Sequence, residues 1–298
     1  MLRRADERLL RRIRTRRGRM REGVVVLEGP RAIETAVRHG ADILLTARET
    51  GATLPPGLES LLAGRRIGGS RAEVPVGGLA GFARTAHPQG ILAIAREPDA
   101  GWPPPSLAAC QGRGVLVLDR IRDPGNAGAL VRSAAALGTE RVIALDGTVD
   151  LWSAKAVRAA AGLSFALPLH RARWRELDRW MASRGVVLVV ADPRGRDIRE
   201  FGLPLRSPSA AGGGVPGLRD AGADWALLVG NEARGPRPEA TGASTARVAI
   251  PLRPGVESLN AALAGALLLW ELGPGRARRP EGGGRTPPGH REPRPPLA

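Results

Sequence analysis

The stretch VLVLDRIRDPGNAGALVR, residues 115–132, carries a strand, a turn and the start of a helix. Apolar residues, two of them β-branched, run up to Asp119, the pattern of a strand. Pro124 and Gly125 make a tight turn, and Asn126 stands where it can cap the helix that follows. Arg132 comes less than two turns into that helix. In open parallel sheets, loops at the carboxyl ends of strands are where ligands bind, so this loop is a candidate site.

The same alternation extends outward in both directions. Downstream, the pattern predicts a strand in RVIALDG (141–147), a helix from about Trp152 to Ala161, the segment FALPLH, and a helix in WRELDRWMASRG. Strands at 186–192, 225–230 and 247–252 and a final apolar helix complete this half. Upstream, strands at 24–29, 41–47 and 91–95 alternate with short helices, which predicts an α/β unit with a mainly parallel sheet over 20–97. The organisation expected is a basic N-terminal arm at 1–22, a first α/β domain at 23–97, a Pro/Gly-rich linker at 98–114, a second α/β domain at 115–273 and a disordered basic tail at 274–298. The arm is read as either a short amphipathic helix or a solvated segment. A Gly/Pro-rich loop at 207–222 is expected to be mobile.

Charge points to a polyanionic partner. The 298 residues hold 45 Lys+Arg against 29 Asp+Glu, a net charge of +16, and Lys155 is the only lysine. The excess is concentrated at the ends. Residues 1–22 contain ten arginines and three acids, and residues 274–298 six arginines and two acids. A single cysteine, Cys110, excludes a disulfide scaffold, an iron–sulfur cluster and a Cys-based zinc finger. Lys155 lies between two alanines, so there is no P-loop, and neither G-x-G-x-x-G after a strand nor H-E-x-x-H occurs. His39, His87, His170 and His290 are scattered, and each reads better as a surface or turn residue than as a catalytic base. The apolar run at 259–272 is too short for a membrane span, the N-terminus has no apolar core of a secretory signal, and the expected location is cytoplasmic.

Two more loops share the chemistry of the first. LLVGNEARGP, 227–236, ends a strand with Gly230 and continues with Asn231, Glu232 and Gly235. AIPLRPGVESLNAA, 249–262, is stiffened by Pro251 and Pro254, and then Ser258 and Asn260 open the last helix. Taken singly, each loop is explained as a capped helix or a strand exit. All three in this order are not explained as coincidence.

The three segments resemble motifs one, two and three of the SpoU/TrmH family of SPOUT RNA ribose 2′-O-methyltransferases: N-x5-R, G-N-E-x-x-G and I-P-x5-S-L-N-A. KAVRAAAGLSFALPL is similar to that family's second helix, with Ala160 where many members have serine. LEGPRAIETA and TAHPQGILAIA resemble the substrate-binding domain, of ribosomal-protein-like α/β fold, that often precedes the catalytic one. The resemblance covers about 20–273. It implies a C-terminal α/β domain with a deep trefoil knot, S-adenosylmethionine as cofactor, RNA as substrate and a homodimer with the site at the subunit interface. Position by position, Val229, Gly230, Asn231, Ile250, Leu252, Leu259 and Asn260 would line the cofactor site. Arg132, Asn126, Glu232, Ser258 and Asn260 would form the catalytic set, with no metal. An arginine is always protonated. Arg132 is therefore expected to stabilise the alkoxide developing from a 2′-hydroxyl, a water or RNA phosphate taking the proton. Asn126 would orient Arg132 or the ribose, and Glu232 would contact the target nucleotide or hold Arg132.

The substrate implied first is a guanosine of large-subunit ribosomal RNA. A tRNA methyltransferase is the second reading, and an rRNA methyltransferase conferring antibiotic resistance, some of which share this two-domain layout, is another. A non-catalytic RNA-binding protein is the reading from another class, and the complete catalytic set argues against it.

Overall fold

The computed structural model describes residues 2–63, 69–82, 89–104, 114–201 and 224–272. The loop 207–222, Cys110, His87, His290 and the tail 274–298 lie outside these residues. The chain begins with two helices, α1 (Arg4–Arg12) and α2 (Arg16–Glu22). Thr15 caps α2 by accepting from the Gly18 N–H, and Gly23 ends it at φ 62°, a conformation that favours glycine. The arginine-dense start is thus helical and also packed, because Leu10 and Ile13 are buried against Val24, Val26, Leu92 and Ile94.

Next come β1 (Val24–Glu28), α3 (Pro30–Arg38), β2 (Ile43–Glu49), α4 (Pro56–Ala63), β3 (Ser70–Val74) and β4 (Ile91–Arg96). Their sheet has the order β1-β4-β2-β3. The expected mainly parallel sheet is not what forms. β1, β2 and β3 do run in one direction, as their helical crossovers require. β4 inserts between β1 and β2 and runs against both, so only β2 and β3 pair in parallel. Alternating strand and helix patterns gave the directions of the first three strands but not the insertion of the fourth.

The second half contains β5 (Val115–Leu118), α5 (Pro124–Ala136), β6 (Arg141–Leu145), α6 (Ala154–Ala159), β7 (Leu169–Ala172) and α7 (Trp174–Arg184). It continues through β8 (Val187–Asp197), α8 (Ile198–Phe201), β9 (Trp225–Val229), α9 (Pro238–Ala243), β10 (Ala246–Ala249) and α10 (Ala261–Leu272). All pairings in this sheet are parallel, in the order β10-β8-β9-β5-β6-β7. The chain moves from β5 to one edge and then returns to place β9 on the other side of β5. The order therefore reverses between β5 and β9, and a crevice opens at their carboxyl ends. β10 stops before Pro251, which has no N–H for the ladder.

The two halves share buried surface. Leu27 and Ile33 belong to the same apolar cluster as Val157 and Ala160, and a side chain at Gly162 would sit 2.3 Å from the Ala32 carbonyl. The expected linker is partly docked. The Gly101 carbonyl accepts from His170 Nδ1 at 2.8 Å, and Trp102 packs edge-on to His170 at 6.3 Å.

Candidate active site at the β5–β9 crevice

Asp119 leaves the end of β5 fully buried, which demands a partner. Arg237 supplies it. Its backbone N–H and Nε donate to Asp119 at 2.8 and 2.9 Å, and its guanidinium also reaches Asp146 at 3.3 Å. Burial works against the Arg237 charge, but the bonds and attraction from Asp119 and Asp146 outweigh it and raise its pKa. This charged pair ties the loop after β5 to the segment after β9. Sequence reading missed both residues, although an acid closing an apolar strand was a visible signal.

The expected cap on α5 needs correction. Asp123, not Asn126, is the cap, accepting from the Asn126 N–H at 2.9 Å with Pro124 in the first turn. Lys155 donates to the same carboxylate at 2.9 Å, and this bond, with the Asn126 N–H, lowers the Asp123 pKa. Because Asp123 does the capping, the Asn126 side chain is free to point into the crevice.

There it joins all three loops. Asn126 Nδ2 donates to Glu232 Oε1 at 2.9 Å, and Asn126 Oδ1 accepts from Asn260 Nδ2 at 2.9 Å. Asn260 Oδ1 in turn accepts from the N–H groups of Ala262 and Leu263, at 2.9 and 3.2 Å, and so caps α10. Each amide orientation is set by its partners: the carboxylate can only accept, and the helix N–H groups can only donate.

Asn231, expected to line the cofactor site, directs its side chain to its own loop and to the loop after β5. Its Oδ1 accepts from the N–H groups of Ala233 and Arg234, and its Nδ2 donates to the Arg120 carbonyl at 2.9 Å. Its backbone pairs with Gly235 in both directions. All its groups are thus spent shaping the loop that presents Glu232. Gly230 is needed for close approach, since a Cβ there would lie 2.3 Å from the Pro236 nitrogen.

Arg132 and Ser258 are not drawn into this network. Both are exposed and make no hydrogen bond or ion pair with a described residue. Arg132 sits about 120° around α5 from Asn126 and ~9 Å along it. Within one chain, Glu232 therefore does not hold Arg132. Of the other expected cofactor residues, Val229 is buried under α10, Ile250 is half-buried, and Leu252 and Leu259 are partly open. On the outer side, Arg120, Arg122, Arg234 and Glu232 line an open cavity of about 400 Å³. Arg120 holds φ 56°, strained for a side-chain-bearing residue. No group of residues suited to a metal ion occurs among the described residues, and no described helix is long and apolar enough to cross a membrane.

Residues 113–270 match the model of the SpoU rRNA Methylase family. The chain is 30% identical over 292 residues to "rRNA methyltransferase 3A, mitochondrial" of Danio rerio, covering 87% of this chain and 65% of that protein. It thus spans just under two thirds of that relative's length. It is 27% identical to the 23S rRNA (guanosine(2553)-2′-O)-methyltransferase RlmP of Bacillus subtilis, over 87% of this chain and 92% of the relative. The SpoU methyltransferase AviRb of Streptomyces viridochromogenes, solved in complex with AdoMet, superposes with a TM-score of 0.74 at 25% identity, over 91% of this chain and 97% of that one.

Proposed function

The chain belongs to the SpoU rRNA Methylase family, and from that premise we propose that it methylates a ribose 2′-hydroxyl of ribosomal RNA, at a guanosine, using S-adenosylmethionine. The observation that carries this reading is the hydrogen-bonded line Glu232–Asn126–Asn260, which joins the three loops at the crevice. The RlmP relative acts on a guanosine 2′-hydroxyl of 23S rRNA, which supports the choice of atom and base.

The third loop suits the cofactor. Ile250, Leu252 and Leu259 offer apolar surface for an adenine, and the N–H groups of Leu252 and Leu259 donate to no described residue. S-adenosylmethionine, when bound, would supply a sulfonium methyl group for transfer to the 2′-oxygen. The protein's part is to align and to stabilise charge. Glu232, held by Asn126, faces the open cavity and accepts from the nucleotide's N–H or O–H groups. Arg120, Arg122 and Arg234 contact the flanking phosphates. Arg132 stabilises the developing 2′-alkoxide, with water or an RNA phosphate taking the proton. Ser258 positions the substrate.

Leu263, Leu267 and Trp270, all more than 40% exposed, form one stripe on α10. Such a stripe fits a second copy of the chain, and a homodimer bringing Arg132 to a crevice accounts for its lying apart from Asn126 within one chain. The reading includes a knotted path for the C-terminal half and RNA binding by the N-terminal sheet. Ribose-methylation mapping of ribosomal RNA from a strain lacking the gene tests the function. One 2′-O-methylguanosine lost from large-subunit RNA is expected; an unchanged map, or a site lost only from tRNA, would overturn the proposed substrate.

A further inference from the structure

A second cleft lies away from the crevice, between the N-terminal helices and the start of α6. It has a volume of about 280 Å³, and Ile13, Val26, Phe82 and Leu92 make its apolar floor. Arg14 and Arg16 stand at its rim on the connection into α2, and Lys155 and Pro124 close the opposite side. Arg14 is exposed and pairs with no described residue, and Arg16 approaches Asp150 only at 3.9 Å. Lys155 is engaged by Asp123.

The cleft is held in shape by a buried ion-pair cluster. Arg19, 4% exposed, donates to Asp150 of the second half, and Arg171 donates to the same carboxylate at 2.7 Å. The acid at the cleft floor is therefore neutralised, which leaves the rim cations as the uncompensated charge. A pocket with an aromatic wall, an apolar floor and a cationic edge has the chemistry of an unpaired nucleotide: a base for the ring and a phosphate for the guanidinium groups. Its size suits one base, being below the usual ~300–1,000 Å³ of drug-sized pockets. Pro124, which lines it, opens α5, the helix that also carries Asn126.

We propose that this cleft is a second RNA-binding subsite, which holds one unpaired nucleotide beside the target with its base against Phe82 and its phosphate on Arg14 and Arg16. The proposal rests on the reading of the chain as an RNA methyltransferase and adds a place where specificity is read outside the crevice. The strong positive charge of the N-terminal helices is then used as a built wall and not as a loose arm.

The test is fluorescence anisotropy of the full chain with a fluorescein-labelled, mixed-sequence single-stranded RNA, over a range of salt. Phe82→Ala is expected to weaken binding about ten-fold and Phe82→Trp to leave it near wild type, since either aromatic ring stacks. The double variant Arg14→Gln/Arg16→Gln, on exposed side chains, should weaken binding and, for the one phosphate they share, reduce the log–log salt slope by about 0.7. Wild-type affinity in the double variant, or equal losses for Phe82→Ala and Phe82→Trp, would overturn the proposal. So would binding of a polyglutamate peptide that the double variant abolishes but that leaves RNA affinity unchanged. Titration of S-adenosylmethionine in the same samples separates the two claims. A chain that shows these RNA effects but does not bind the cofactor would contradict the methyltransferase reading and leave the subsite standing.

Discussion

Asn126 is the residue on which the three loops converge, and its side chain is committed to Glu232 and Asn260 at 2.9 Å each. Asn126→Ala removes both bonds and lets Glu232 drift, so methyl transfer should fall about 10²-fold while cofactor affinity changes little. Arg132→Ala should cost at least that much in turnover, again with cofactor affinity kept, because its charge acts on the transition state. Single-turnover transfer of a tritiated methyl, with calorimetry beside it, checks both. At this scale the sequence singled out Asn126, Glu232 and Asn260, which the structure joins, but not the bonds each side chain makes. The spacing D-P-G-N offered two capping residues, and only the backbone shows that Asp123 takes the role and frees Asn126. Asn231 was legible as a site residue, but its service to its own loop is written in hydrogen bonds that no one-dimensional pattern contains.

Elements explain why the loops meet. β5 and β9 lie side by side in parallel, and the chain order reverses between them, so their exits face one crevice. Parallel strands, buried on both faces, read clearly as apolar runs, and most strands of the second half were located from sequence alone. Pairing was not legible, because partners are set by long-range packing; the antiparallel insertion of β4 in the first sheet is the example. Gly230→Ala puts a methyl group 2.3 Å from the Pro236 nitrogen, and should displace the second loop and abolish transfer with little loss of folded protein. Circular dichroism melts alongside the transfer assay check this. On β7, burial chiefly lowers the His170 pKa, against a contact to the Gly101 carbonyl. The unfolded chain therefore takes up this proton first as pH falls, and the folded state loses stability below about 6.5, the ordinary histidine value. Urea midpoints above and below that pH should converge more closely in His170→Gln than in wild type.

For the whole molecule, the charge of +16 has a structural distribution. The N-terminal helices carry much of it, yet they bury Leu10, Ile13 and Arg19 and so belong to the folded body. Deleting residues 1–22 would therefore open the core as well as remove arginines, and point substitutions at the rim are the better probe of charge. If the crevice directs a methyl group to a ribose oxygen, alkaline hydrolysis will distinguish that oxygen from a base atom. Ribosomal RNA lacking the modification is incubated with the protein and S-adenosylmethionine tritiated on the methyl, then cleaved with alkali, which cannot cut beside a 2′-O-methyl ribose. The label is expected in an alkali-resistant dinucleotide containing guanosine, and Arg132→Ala is expected to yield none. Label recovered in mononucleotides, as base methylation would give, or no label from the wild-type protein, would contradict it.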